Sequence, residues 1–137
     1  MRPDKIVTRE RELRTVEEIT AVYRERGIRV ECEERSVPVH DLIATQNAIE
    51  AEKLDLVRGL VAEGKLDVPI IVEEHFIGED YRRYVIDGHC RARAGIELGR
   101  RFIAAFVLWS RAGDFSSNFV SIAGQYGNLL VRELGLY

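Results

Sequence analysis

The stretch Tyr84–Gly99, "YVIDGHCRARAGIELG", decides how the chain is read. Tyr84-Val85-Ile86 is an apolar, strand-like run that stops at Asp87. Gly88, His89, Cys90 and Arg91 follow, and the pattern then reads as a helix until Gly99. A strand-to-helix turn ordinarily needs only a glycine and a cap. This one also carries an acid, an imidazole, a thiol and a guanidinium. A helix start leaves backbone N–H groups without intrahelical partners, and the helix dipole adds partial positive charge there. Gly88 has no side chain, so a phosphate can come close to the backbone. Arg91 and Arg93 lie in the first turn, where positive side chains are unfavourable unless a negative partner is present. An anionic ligand is therefore expected at this turn. Asp87 could cap the helix, hold a Mg²⁺ that bridges phosphates, or take a proton from an attacking hydroxyl.

Working outward, the periodicity predicts a mixed set of elements. Residues 1–14 alternate charges and read as a solvated arm. Thr15 and Glu18 have the spacing of a capping box, which opens a helix over about 15–26 that ends at Gly27. Residues 27–34 alternate apolar and polar, with Cys32 on the inward parity of Ile28 and Val30. Residues 36–43 form a second extended segment, interrupted by Pro38, and residues 44–48 are a polar loop. A helix covers 49–62, an apolar strand covers 68–72, and His75 falls in a solvated turn. Residues 81–86 form the returning strand of a hairpin, 89–98 a helix and 102–109 a strand. A last helix covers about 117–134, capped by Ser116 or Ser117. This order predicts a compact α+β domain with a mixed β-sheet. Three parts are expected: a charged arm and helix over 1–28, a core over 29–110 and a packed C-terminal helix over 111–137.

Composition narrows the function classes. The chain has 137 residues, with 20 Lys+Arg against 23 Asp+Glu and a formal net charge of -3. That balance does not mark a strongly basic nucleic-acid binder, although Arg82, Arg83, Arg91, Arg93, Arg100 and Arg101 concentrate positive charge locally. No apolar run approaches the length of a membrane span, and no membrane partner is expected. The charged N-terminus has no apolar core of the kind a signal peptide carries. Cys32 and Cys90 form no CxxC pair, and no HxxxH or similar spacing occurs, so neither a disulfide framework nor a zinc site is expected. A cytoplasmic protein with reduced thiols fits this pattern.

The wider pattern resembles the ParB/sulfiredoxin superfamily. The resemblance runs from Ser36 to Leu108. It comprises a leading strand, a loop with a glutamine, a helix, and the apolar strand "PIIV". A hairpin strand leading into a G-x-x-R turn follows, then a helix ending in "LG" and a closing strand "IAAFVL". Members bind nucleotide phosphates at this turn. The resemblance thus implies a phosphate-binding role for Gly88, His89, Cys90 and Arg91, with Arg91 as clamp and Gln46 and Asn47 adding polar contacts from the facing loop. The string "DGHCR" departs from the G-E-R-R type box of ParB proteins. It is similar to the D-G-H-H-R box of the free-serine kinases of the superfamily. That similarity implies a phosphoryl-transfer role for Asp87, and no acid stands in the 44–48 loop before Glu50, the second candidate carboxylate.

Sulfiredoxins carry G-C-H-R, so here the thiol stands one position later, a rotation of about 100° on a helix. A thiol at a helix start beside Arg91 is still expected to have a lowered pKa. ParB proteins continue into a helix-turn-helix DNA reader. Only one predicted helix follows Leu108 here, so a sequence-specific partition protein is not expected. The resemblance implies ATP, ADP or CTP with Mg²⁺ as ligands and Asp87 as the metal-binding side chain. A non-catalytic DNA- or protein-binding module, contacting the DNA backbone, and a ParB-like nuclease remain alternatives. The oligomeric state, including a homodimer, stays open.

Overall fold

The computed structural model of the protein describes residues 7–137. The part of the expected solvated arm over residues 1–6 lies outside the described residues. The chain runs α1 (Arg9–Glu25), β1 (Glu31–Pro38), β2 (Ala48–Ile49), α2 (Ala51–Ala62), β3 (Ile70–Ile77), β4 (Asp80–Asp87), α3 (His89–Glu97), β5 (Phe102–Trp109) and α4 (Asn118–Gln125). A short 3₁₀ turn, Val131–Glu133, and β6 (Gly135–Leu136) complete it. The fold is α+β.

Four strands form a mixed sheet in the order β1-β5-β3-β4. β3 and β4 are an antiparallel hairpin, β5 runs parallel to β3, and β1 closes the other edge antiparallel to β5. The strand period of two divides the side chains between two faces. Val72, Val85, Ala105 and Val107 point to one face, where Leu54, Val57 and Val61 of α2 and Ala92 and Ala94 of α3 complete the main core. Ile71, Phe106 and Leu108 point to the other face, beneath Val16 of α1.

The edge of β4 is covered by the segment after β1. Ile43 N–H donates to the Arg83 carbonyl and Val85 N–H donates to the Ile43 carbonyl, both at 2.8 Å. Leu42 and Val39 beside it are fully buried. The expected polar loop at 44–48 is therefore tied to the sheet before it reaches α2. β2 then pairs in parallel with β6, which fastens the C-terminal segment beside the start of α2.

Several boundaries differ from the sequence expectation, each for a local reason. The first helix begins at Arg9 and not near Thr15, because the Thr8 hydroxyl caps it by accepting from Arg11 N–H at 3.2 Å. Thr15 instead bonds back to the Arg11 carbonyl within the helix. The two extended segments around 27–43 are largely one strand, β1. Cys32 is exposed on it, beside Glu34, which pairs with Arg9 of α1. β3 continues five residues past the expected 68–72, so His75 is a buried strand residue and not a solvated turn. The last helix stops at Gln125, because Gly127 (φ 81°) and Asn128 (φ 56°) take left-handed backbone that an α-helix cannot contain. Leu130 and Leu134 therefore belong to a separate segment. Ser117 is the cap of α4, accepting from Phe119 N–H at 3.1 Å.

Candidate functional site

A polar cleft of about 240 Å³ opens at the end of β4. Its walls come from the starts of three helices. Val7 and Arg11 belong to the first turn of α1 and its approach, Glu50, Lys53 and Val57 to α2, and Gly88, His89, Cys90 and Arg91 to α3. Asp87, Gln46 and Tyr137 complete the lining. Glu50 and Gly88 are the N-cap positions of α2 and α3, and neither helix receives a side-chain cap. The positive ends of three helix dipoles thus meet at one cavity, two of them with first-turn N–H groups that no side chain caps.

Gly88 makes the turn possible. Its φ of 107° lies in the left-handed region. A Cβ there would come within 2.8 Å of Ile70 Cβ and closer still to Ile70 Cγ2, and 3.0 Å from Arg91 Nη2. Asp87 is not the N-cap of α3; that position belongs to Gly88, and the Asp87 side chain lines the cleft beside Arg91 and Glu12.

Arg91 lies beneath the turn and is 6% exposed. Nη1 donates to the carbonyls of Val68 (3.0 Å) and Pro69 (2.8 Å), and Nη2 donates to Glu12 Oε2 (2.9 Å). Asp87 Oδ2 is 3.5 Å from the same Nη2. The guanidinium therefore braces the turn from below while its edge lines the cleft. Glu12 is fully buried, and its Oε1 has no hydrogen-bond partner among the described residues. Burial, together with the hydrogen-bonded Asp87 carboxyl and against the pull of Arg91, pushes Glu12 up to about 7. Sequence reading missed Glu12, since it placed residues 7–14 in a solvated arm. The Thr8 cap before an alternation of charges was the available signal.

His89 latches the facing loop. Its Nε2 accepts from Thr45 N–H at 3.0 Å, and the Thr45 hydroxyl donates to the Val85 carbonyl at 2.6 Å. Burial, opposed by the charge of Asp87 and reinforced by that of Lys53, pushes His89 down to about 4. The ring is therefore neutral, with its proton on Nδ1. Cys90 is corrected in one respect. Burial pushes its thiol up, outweighing the lowering by Lys53 and Arg91, so the site holds a thiol and not the activated thiolate expected from the helix start.

Gln46 lines the cleft and donates from Nε2 to the Ala48 carbonyl at 2.8 Å. Asn47 is exposed and outside the lining, so it is not brought to the site. Glu50, at the N-cap of α2, lines the same cleft as Asp87. Lys53, which sequence reading passed over, lines the cavity, and its charge is felt at both His89 and Cys90. Arg93 points elsewhere, donating to the carbonyls of Val131 (3.2 Å) and Leu134 (2.7 Å). Arg83 pairs with Glu74 at 2.8 Å and Arg100 donates to the Val61 carbonyl. The arginines of the 80–101 region are therefore largely spent on internal partners rather than gathered at one mouth.

A second polar cluster lies on the α1 face of the sheet. His75 is fully buried, with Nε2 2.7 Å from Glu73 Oε1 and Nδ1 2.7 Å from Asp114 Oδ1. Phe115 stacks on its ring at 4.2 Å. Burial lowers the His75 pKa, but Glu73 and Asp114 together outweigh it, and the net shift is upward. A raised folded-state pKa makes the stabilisation full below the unfolded value of 6.5 and lost as pH rises through the folded value. Denaturant titrations from pH 6 to 9 should show wild type losing its advantage over His75→Gln as pH rises. A pH-independent difference would contradict the charged state of this ring.

No family model matches the chain, and no curated protein matches it. Among solved structures the chain is similar to protein Atu1540 from Agrobacterium tumefaciens, at 21% identity and a TM-score of 0.47, over 72% of this chain and 50% of that one. The chain thus spans half the length of that protein. Among the described residues, no helix is long and apolar enough to cross a membrane, and no group of three or more His, Cys, Asp or Glu side chains could hold a metal ion.

Proposed function

We propose that the protein binds a nucleoside di- or triphosphate, with the phosphates seated on the first turn of α3 and the chain a cytoplasmic member of the ParB/sulfiredoxin superfamily. The observation that carries this reading is the meeting of three helix starts at one polar cleft. The uncapped first-turn N–H groups of α3 and the three helix dipoles favour an anion there before any side chain is counted; the first N–H of α2 is taken by the Tyr137 carbonyl. Gly88 lets phosphate oxygens approach the backbone of His89 and Cys90. Lys53 supplies the mobile positive charge from α2. Arg91 acts as a brace beneath the cradle, since Glu12 and two carbonyls hold its guanidinium.

Asp87 and Glu50 are the carboxylates that face the phosphates. Magnesium commonly takes only one or two carboxylates and draws its other ligands from phosphate and water, which suits a cleft with Asp87 as the nearest acid. When bound there, Mg²⁺ would neutralise charge on the phosphates. Asp87 could otherwise accept the proton of an attacking hydroxyl, and phosphoryl transfer or nucleotide hydrolysis is the chemistry this arrangement suits. Internal pairing of Arg83, Arg93 and Arg100 lends no support to a DNA-backbone surface.

Calorimetric titration with ADP, ATP and CTP in the presence of Mg²⁺ tests the reading. Wild type should bind at least one of them, and Lys53→Ala should weaken that binding about tenfold or more, the value of one charge-assisted contact. Absence of binding to all three nucleotides, or undiminished binding by Lys53→Ala, counts against it.

A further inference from the structure

α1 spans 17 residues, yet only Glu12, Val16 and Tyr23 are buried on it, and two of these are polar. Its apolar contact is small for a helix of this length, with Val16 and the partly buried Ile19 meeting Ile71, Phe106 and Leu108 and the Tyr23 ring packing edge-on against Phe115, whereas helical stability in proteins comes mostly from packing of an apolar face. The polar pair supplies the rest, one at each end. Glu12 reaches Arg91 Nη2 at 2.9 Å, beneath the cleft. Tyr23 donates its hydroxyl to Glu73 Oε2 at 2.6 Å and lies 3.1 Å from Ser117 Oγ. Eleven residues separate the two contacts, about 16 Å of helix at 1.5 Å per residue. Tyr23 therefore sits far from the cleft, in the Glu73–His75–Asp114 cluster, while the first turn of the same helix forms a wall of the cleft through Val7 and Arg11.

We propose that α1 is a docking latch whose seating on the sheet is coupled to ligand occupancy of the cleft, with Glu12 as the near contact and Tyr23 as the far one. This rests on the anion-binding reading of the cleft. The coupling is mechanical and short. Arg91 Nη2, which Glu12 holds, also lies 3.5 Å from Asp87 Oδ2, so the buried acid of α1 and the acid at the turn share one guanidinium nitrogen. When α1 lifts, Arg91 keeps the Val68 and Pro69 carbonyls but loses Glu12, and the Val7–Arg11 wall leaves the cleft. A ligand that needs the turn and the wall therefore favours the docked helix, and by linkage a docked helix favours the ligand by the same factor.

Tyr23→Phe is the clean probe, since it removes one hydroxyl and changes neither charge nor ring. Hydrogen exchange of the full chain should show faster exchange across all of Arg9–Glu25 in this variant. ADP with Mg²⁺ should slow exchange across the same helix in wild type. Calorimetry should find ADP bound more weakly by Tyr23→Phe, by the factor through which the variant lowers the docked fraction of α1. Inorganic pyrophosphate serves as a second probe of the cleft. Faster exchange confined to the last turn of α1, or exchange across α1 of wild type left unchanged by saturating ADP with Mg²⁺, would overturn the coupling while leaving the cleft assignment intact. Failure of wild type to bind either ADP or pyrophosphate would remove both.

Discussion

Arg91→Met is expected to lose about 3–5 kcal/mol of folding stability above pH 7, where Glu12 is ionised and would be left a buried charge without its partner. Three groups depend on this guanidinium. The carbonyls of Val68 and Pro69 accept from Nη1, and the fully buried Glu12 accepts from Nη2. Lysine cannot replace it, because one ammonium cannot span two carbonyls and a carboxylate in the same fixed geometry. The cost is coupled to Glu12. In Glu12→Gln/Arg91→Met the orphaned carboxylate is gone, so the double variant should recover about 1–3 kcal/mol relative to the sum of the single changes. The pH dependence has a definite sign. The folded state already holds the Glu12 proton up to about 7, above its ordinary 4.5, so this group's contribution falls as pH rises between those values. Arg91 opposes that shift, so in the single Arg91→Met variant the fall should continue to higher pH than in wild type. Urea denaturation across pH measures both effects. Additive single changes would mean that Glu12 and Arg91 do not depend on each other.

Gly88→Ala should cost about 2–4 kcal/mol and abolish ligand binding at the turn. Two effects add. An alanine at φ 107° occupies backbone that L residues rarely adopt. Its Cβ would also enter Ile70, whose side chain is fully buried, and press on Arg91 Nη2. Neither neighbour has room to move: Ile70 is packed in the core, and Arg91 is fixed by three acceptors. A stability within about 0.5 kcal/mol of wild type would show that the turn can relax, and that Gly88 is not what shapes it.

The sequence was most informative where chemistry and periodicity coincided. Tyr84–Gly99 read as strand, turn and helix because an apolar run, a glycine and a 3.6-residue period follow one another directly, and β5 read to the residue because it is continuously apolar. The α+β class followed from that order of elements. What the sequence hid was tertiary in origin. Glu12 and His75 are polar residues buried by their partners, and polarity in a sequence signals solvent unless those partners are known. Arg91 is visible as a first-turn arginine, but whether it faces ligand or core depends on Glu12, 79 positions away. Lys53 escaped notice because only the approach of α2 to α3 brings it over the turn. Cys90 was misjudged because local sequence displays the helix start and the arginine but not the burial that outweighs them.

The central claim is that the first turn of α3 is a phosphate cradle. Titration of ¹⁵N-labelled full-length protein with inorganic pyrophosphate, followed through the backbone amide resonances, tests it most directly. The account predicts that the amides of Gly88, His89 and Cys90 shift first and furthest, that the start of α2 around Lys53 follows, and that all reach saturation together. Unperturbed amides at residues 87–91 in millimolar pyrophosphate, or a response centred elsewhere on the surface, would contradict it.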